Sequence, residues 1–382
     1  MAGVSDCLNI ADLRRRARGR LPRGVWEYLE RGVEDETGPA RNRESFDRIA
    51  FYPRVLRDVS AIDTRTTILG KPSTLPFAIA PTGAAGTMWY RGDAELAQAA
   101  ARAGIPFTIS SASTMDLEEI IPAGGRQWFQ LYLWENRELS WGVLDRAHAE
   151  GCDTLFVTLD LPVPPNREYL HRNGFGSPFG VNRRNVPDIL AHPRWFAAVI
   201  GRYMLNGGLP QQANLPPHLK SSVVRGAKPG AQFKQDDLDW DGVAQIRARW
   251  PGKLVLKGIL HPDDARKGVA LGADGIVVSN HGGRSLDHAI AAIDALPEIA
   301  EAVREQTTIF LDSGIRRGSD LVKALALGAH AVMIGRAPLY GLAAAGESGV
   351  TRAIELLAEE LRRVMAMVGA RSIEEIDRSL IA

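Results

Sequence analysis

Eight short β-rich runs alternate with longer alanine-rich stretches through most of the chain, and this alternation leaves few folds open. The runs are "FAIA" (77–80), "PFTIS" (106–110), "WFQLY" (128–132), "TLFVTLD" (154–160), "KLVLKG" (253–258), "DGIVVSN" (274–280), "TTIFLD" (307–312) and "AVMIG" (331–335). Between them lie helical patterns such as "GDAELAQAAARAG", "NRELSWGVLDRAHAEG", "HPDDARKGVALG" and "SDLVKALALG". Several of these close on Gly, as helix C-termini tend to. Near-continuous apolar strands separated by helices predict a parallel sheet covered by helices. Eight such units close into a (β/α)8 TIM barrel of the α/β class, with a doubly wound open sheet as the alternative. A length of 382 residues suits one large barrel with additions.

Two regions fall outside the repeat. Residues 1–60, with "ADLRRRARGRLPRGVWEYLERG", read as an N-terminal helical segment that contributes to the site, ahead of a barrel spanning 61–382. Residues 171–235 interrupt the barrel after the fourth strand and are rich in Gly, Pro, Asn and Arg. An insertion of this length is usually functional or disordered. Its "HPRWFAAVIGRYML" (192–205) mixes Trp195, Phe196, Val199, Ile200, Met204 and Leu205 with Arg194 and Arg202. That composition suits either a helix lying on a membrane surface or a short cap over the barrel mouth.

Composition narrows the partners. A net charge of +1 gives no reason to expect nucleic acid. Two cysteines, Cys7 and Cys152, make neither a disulfide framework nor a metal cluster. The first residues carry arginines where a signal peptide needs an apolar core, and no apolar run reaches the roughly 18 residues of a membrane span. The expectation is a cytoplasmic enzyme.

In a barrel of this kind the active site lies at the C-terminal ends of the strands. Those ends are loaded here: Gln130 and Tyr132 on the third, Thr158 and Asp160 on the fourth, Lys257 on the fifth, Ser279, Asn280 and His281 on the sixth, and Asp312 on the seventh. A lone polar residue at a strand end is ordinarily a cap; so many converging on one mouth point to chemistry. After the last two strands, "DSGIRRGSD" (312–320) and "IGRAPL" (334–339) lead through glycines into helices. Glycines let backbone N–H groups approach an anion, and helix N-termini favour it, so this is a predicted phosphate site with Arg316 and Arg336 as charged contacts.

The stretch "SNHGGRSLD" (279–287) sets an imidazole and a guanidinium on either side of Gly282–Gly283. His281 is suited to move a proton near neutrality, and Arg284 to hold a carboxylate. Asp160 is the candidate to orient the imidazole. The pairing implies a substrate bearing both an acidic proton and a carboxyl group. A metal is disfavoured, because there is neither HxH nor HExxH spacing.

These residues closely resemble the signature of the FMN-dependent 2-hydroxy-acid dehydrogenases and oxidases. The likeness extends through "LPRGVWEYLERGVEDE", "IAPTG", "WFQLY", "LKGIL" and "DSGIRRGSDLVKALALGA", covering essentially the whole chain, and is strongest to mandelate- and L-lactate-dehydrogenase members. The resemblance implies that His281 is the base at the substrate's 2-position, paired with Asp160. Arg284 and Arg167 would clamp the substrate carboxylate with help from Tyr28 and Tyr132. Lys257 would stand near flavin N1, and Ser110, Gln130, Thr158 and Ser279 around the ring and its supports. The backbone of Pro81, Thr82 and Gly83 would follow the other edge. Asp312, Gly314, Arg316, Gly335 and Arg336 would hold the ribityl phosphate.

The same resemblance implies a quinone or other non-oxygen electron acceptor, peripheral contact with the inner face of the cell membrane through 171–235, and a homotetramer. Gly83, where oxidases of the family commonly have Ala, favours the non-oxygen acceptor. Ser285 departs from the family's usual Gln. The candidate walls of the substrate side-chain pocket are Gly83, Trp89 and residues 163–166. A peroxide-forming oxidase and a non-redox barrel for a phosphorylated metabolite are the alternative functions.

Overall fold

The eight expected strands pair in sequence order into one closed parallel barrel, which excludes the open sheet. They are β1 (Phe77–Ile79), β2 (Phe107–Ser110), β3 (Gln127–Leu131), β4 (Thr154–Thr158), β5 (Lys253–Ile259), β6 (Gly275–Val278), β7 (Thr308–Leu311) and β8 (Ala331–Ile334). The computed structural model describes residues 3–176, 183, 185–222 and 225–382. Strands β3, β4, β6 and β7 end one or two residues before their apolar runs do, so Tyr132, Asp160, His281 and Asp312 fall in the first residues of the following loops.

Alternation along a strand sends every second side chain into the barrel. One inward layer is apolar and aromatic: Trp128, Phe156 and Phe310 meet with ring centroids 5.2–6.0 Å apart. Val255, Val277 and Met333 complete this cluster. Two residues further along the same strands the inward layer turns polar, with Gln130, Thr158, Lys257, Ser279 and Asp312 all buried. The aromatic layer thus forms a dry floor beneath a polar mouth. A hairpin of Thr66–Ile68 and Lys71–Ser73 plugs the opposite end. Its Ile68 and Leu69 join the interior cluster, and Arg126 donates to the Ile68 carbonyl at 2.6 Å.

Three helices precede the barrel: α1 (Ile10–Arg20), α2 (Arg23–Glu30) and α3 (Thr37–Arg48). Asn9 caps α1 by accepting from Asp12 N. No side chain of its own first turn caps α3; Asp287 serves instead, its Oδ1 accepting from Gly38 N at 2.8 Å. That contact ties the "SNHGGRSLD" loop to α3.

The insertion has more order than its composition predicts. It contains helices Glu168–Asn173 at its start and Val186–Ala191 further on, then a continuous helical run over 193–205 with a π-helical turn at Ala197–Gly201. Residues 177–182, 184 and 223–224, including most of "GSPFGVNRR", lie outside the described residues. In the run, Trp195 and Val199 are buried against the barrel, and Trp195 Nε1 donates to Thr87 O at 2.9 Å. Trp195 and Val199 therefore belong to a cap over the barrel. Phe196, Met204 and Leu205 stay exposed, as do Val186 and Leu190 just before them.

Candidate active site

A cavity of about 720 Å³ opens at the C-terminal mouth of the barrel. Its wall includes Tyr28, Pro81, Thr82, Gly83, Ser110, Tyr132, Arg167, Lys257, His281, Arg284, Asp312, Gly314, Arg316, Gly335 and Arg336. Asp160, Gln130, Thr158 and Ser279 are not on that wall but stand directly behind it. Ser110 Oγ donates to Gln130 Oε1 at 3.0 Å, and Gln130 Nε2 donates to Thr158 Oγ1 at 3.0 Å. Ser279 Oγ accepts from Lys257 Nζ and from His281 N, both at 3.0 Å.

His281 is the centre of the arrangement. Its Nδ1 lies 2.9 Å from Asp160 Oδ1, and its Nε2 is 3.4 Å from the Tyr132 hydroxyl. With Asp160 ionised, Nδ1 carries the proton and Nε2 faces the cavity as the acceptor. Burial lowers the His281 pKa below its ordinary 6.5, Asp160 opposes that shift, and Lys257 and Arg167 reinforce it. Asp160 is pulled below its usual range: burial raises it, but His281 and Lys257 outweigh burial. The imidazole is thereby neutral near neutrality, as a base must be. The Tyr132 hydroxyl is driven well above its ordinary value, chiefly by burial and then by Asp160, so it remains a donor.

The loop geometry explains the paired glycines. His281, Gly282 and Gly283 all have positive φ, at 57°, 67° and 71°. A Cβ on Gly283 would sit 2.4 Å from Pro39 Cδ, so only glycine lets this loop meet α3. Asn280 and Asn42 exchange amide hydrogen bonds at 2.8 and 2.9 Å, closing the contact. Ser285 Oγ reaches Asn280 O at 3.5 Å, a weak tie within the same turn.

Helix α2 orients the arginines. A helix C-terminus presents unpaired carbonyls and attracts cations. Arg284 Nη1 donates to the carbonyls of Tyr28 and Arg31, both at 2.7 Å. Arg336 donates to Leu29 O at 3.2 Å and, from the other side, to Gly282 O at 2.9 Å. Arg167 stands beside Arg284, and its Nε is buried without a hydrogen-bond partner among the described residues. Burial and the neighbouring Arg284 both lower its pKa. Two neighbouring guanidinium groups on one cavity wall, one with an unmet donor, make a site for a carboxylate.

Lys257 pairs with Asp312 at 3.2 Å. Burial lowers its pKa, but Asp312 and Asp160 more than offset this and the net shift is upward, so it is a buried, fixed cation. Beyond Asp312, Ser313 Oγ donates to Asp312 Oδ1 at 2.7 Å and accepts from Gly282 N at 2.9 Å. Ser313 and Asn42 are supports that sequence reasoning did not single out; only the quoted "DSG" context pointed near the first.

The two glycine-led helices differ. At the first (Gly318–Ala326), Asp320 accepts from Arg316 N and Arg317 N, and Glu360 accepts from Gly318 N, so those donors are already used. At the second (Arg336–Ala345), a Cβ on Gly335 would meet nothing within 4 Å. The open anion position is therefore the second helix start, an asymmetry the two similar motifs conceal. Arg316 turns toward it with Nη2 3.4 Å from the Tyr340 hydroxyl. Burial lowers Arg336 to about 10, which marks a desolvated cation whose hydrogen bonds all go to carbonyl oxygens. A phosphate monoester fits this donor set, and the Ser110–Gln130–Thr158 chain beside Lys257 fits the polar edge of a flavin ring.

Of the side-chain pocket candidates, Gly83 and Val163, Pro164 and Pro165 line the cavity, whereas Trp89 and Asn166 do not. Trp89 packs instead beneath the Arg20 guanidinium, 4.0 Å from its ring centroid, which takes it into the α1 contact.

The family model for FMN-dependent dehydrogenases matches residues 17–382. The chain is 41% identical to an L-lactate dehydrogenase of Alcaligenes faecalis over 374 residues, 97% of each chain. It is 40% identical to an (S)-mandelate dehydrogenase of Pseudomonas putida over 372 residues, 97% of this chain and 93% of that one. The crystal structure of a monotopic membrane protein, (S)-mandelate dehydrogenase, superposes with a TM-score of 0.91 at 38% identity, covering 99% of this chain and all of the other. With a match running from α1 to the last residue and a cavity whose donors fit a flavin phosphate, this chain belongs to the FMN-dependent dehydrogenase family.

Proposed function

We propose that the protein oxidises an L-2-hydroxy acid to the 2-oxo acid with FMN as cofactor. The observation that carries this reading is the cavity wall itself: a neutral imidazole backed by a carboxylate stands next to Arg167 and Arg284, which form no salt bridge with a carboxylate among the described residues. FMN, when bound, supplies the two-electron acceptor.

The chain's own groups divide the remaining work. Arg167 and Arg284 bind the substrate carboxylate, and the hydroxyls of Tyr28 and Tyr132 hydrogen-bond to it and to the 2-hydroxyl. His281 Nε2 takes the proton leaving the substrate. Asp160, held on Nδ1, stabilises the imidazolium that results. Ser110 and Lys257, with Gln130, Thr158 and Ser279 behind them, would hold the flavin ring. The backbone of Pro81, Thr82 and Gly83 would also contact it. Asp312, Gly314, Arg316, Gly335 and Arg336 would take the ribityl phosphate end.

The substrate side chain is small alkyl or aryl, as lactate- and mandelate-specific relatives suggest. The acceptor is a quinone or another non-oxygen species, supported by Gly83. A Cβ there would stand 3.1 Å from Ala112 Cβ and 3.6 Å from the Tyr28 hydroxyl, so an alanine would reshape this part of the wall. Among the described residues no helix is long and apolar enough to cross a membrane. The exposed Phe196, Met204 and Leu205 beside Arg194 and Arg202 support peripheral attachment to the inner face of the cell membrane.

A panel of 2-hydroxy acids, scored by anaerobic bleaching of the bound flavin, identifies the substrate. Rapid peroxide release in air with the best of them would overturn the acceptor assignment in favour of an oxidase.

A further inference from the structure

The last residue of the insertion, Gln235, is buried between two strand ends. Its Oε1 accepts from Leu133 N at 3.0 Å, just beyond β3. Its Nε2 donates to Thr158 O at 3.2 Å and to Leu161 O at 3.4 Å, on either side of Asp160. Both amide hydrogens and the carbonyl are thus spent on backbone. The residues next to these anchors are Tyr132 and Asp160, the two partners of His281.

We infer that Gln235 is a positioning residue, which locks the β3 and β4 exits so that Tyr132 and Asp160 meet His281 in line. The inference rests on the proposed role of His281 as base. The backbone path is short on both sides. Leu133 follows Tyr132 directly, and the segment from Thr158 to Leu161 curls around the Gln235 amide with the Asp160 side chain turned outward to the imidazole. No hydrogen bond between β3 and β4 performs this task, because the two pair only as far as Leu131 and Val157; Leu159 N donates to Lys257 O at 2.9 Å, which ties the β4 exit to β5 and not to β3. Phe233, two residues earlier, packs 5.3 Å from the Tyr132 ring, so the same stretch fixes both the backbone and the ring. The end of the insertion thereby becomes part of the catalytic scaffold, while its exposed helix lies elsewhere on the barrel.

Removing the amide lets Asp160 drift from Nδ1. The groups facing His281 are Asp160 from the β4 exit, Lys257 from β5, Arg167 from the start of the insertion and Tyr132 from the β3 exit. Of these only Asp160 favours the protonated ring, so loosening it moves the His281 titration to lower pH.

The test compares Gln235→Leu and Gln235→Glu with the wild-type holoenzyme. Gln235→Leu is expected to slow anaerobic flavin reduction by up to ~100-fold, the cost of a small misplacement of reacting groups. Bound FMN should stay close to wild type, because the phosphate site is elsewhere, and KM should rise by less than the rate falls, because Tyr132 only assists the Arg167 and Arg284 clamp. His281 titration, followed by NMR and assigned by its absence in His281→Gln, should shift to lower pH; this readout does not depend on turnover. Gln235→Glu keeps the Leu133 contact but donates to one of the two carbonyls, and only when protonated. Its rate relative to wild type should therefore rise as pH falls, and it also serves if the leucine variant does not fold. An unshifted His281 titration in Gln235→Leu, or a flat rate ratio against pH in Gln235→Glu, overturns the inference. Wild-type holoenzyme that no 2-hydroxy acid can bleach overturns the proposed function instead, and leaves the titration shift to decide this point.

Discussion

Nδ1 of His281 lies 2.9 Å from Oδ1 of Asp160, although the strands that carry them, β6 and β4, are separated by β5. The contact bridges over β5 at the mouth of the barrel and sets the tautomer of the base. Replacing His281 by Gln is expected to cost ~10²–10⁴-fold in kcat, the usual share of a positioned base. Stopped-flow reduction of the holoenzyme measures it, and a loss below tenfold would contradict the assignment.

The pH dependence follows from the same pair. The folded protein holds the His281 pKa below 6.5, so the neutral base persists as pH falls through that value, and kcat/KM should decline only below it. In Asp160→Asn the carboxylate that favours imidazolium is gone. The acidic limb then moves further down while the plateau falls. A limb at or above 6.5 in wild type would contradict this ordering.

Arg167 and Arg284 are expected to separate in their effects. Among the described residues Arg167 donates one long hydrogen bond, to Arg284 O at 3.4 Å, so Arg167→Met should chiefly raise KM, by roughly 10- to 100-fold for loss of a charged hydrogen bond worth ~1.5–3 kcal/mol. Arg284 also caps the Tyr28 and Arg31 carbonyls. Arg284→Met should therefore lower the unfolding temperature as well, and the two variants can be compared by calorimetry and steady-state kinetics.

At the phosphate end, Arg316→Ala is expected to weaken FMN binding by roughly tenfold or more, at ~1.5–3 kcal/mol for a charge-assisted contact. Riboflavin, which lacks the phosphate, should bind both proteins alike. Fluorescence titration of the apoprotein with each flavin tests this, and parallel losses for both would place Arg316 away from the phosphate.

Surface attachment is expected to follow the outward side of the insertion. Changing Phe196, Met204 and Leu205 together to Ser should shift the protein from the membrane to the soluble fraction without altering flavin reduction. Trp195→Ser should instead lose packing and its bond to Thr87 O. An unchanged distribution in the triple variant would exclude this face.

Much of this arrangement is legible in the chain because strand periodicity is local. "WFQ", "LFVT", "LVLK" and "IFLD" each place a polar residue two positions beyond an inward apolar one, so the floor and the mouth of the barrel follow from spacing alone. Features that depend on distant pairing are not legible. Nothing near Gln235 marks it as the tie between two strand exits, and nothing near Asn42 announces Asn280, 238 residues away. Trp89 is drawn into a cation–π contact with Arg20 that its neighbours do not reveal. The insertion is half legible: the apolar residues of 192–205 announce a helix, but not that Trp195 and Val199 turn inward while Phe196, Met204 and Leu205 stay exposed.

The central claim is that His281 and the two arginines act on a free 2-hydroxy acid beside FMN. Anaerobic mixing of the holoenzyme with L-lactate and L-mandelate, watched through the flavin's visible absorbance, tests it most directly. The account predicts rapid bleaching with at least one L-acid, none with its D-enantiomer, and none at comparable rate in His281→Gln. A holoenzyme that stays yellow with every 2-hydroxy acid, or bleaches equally without His281, would contradict it.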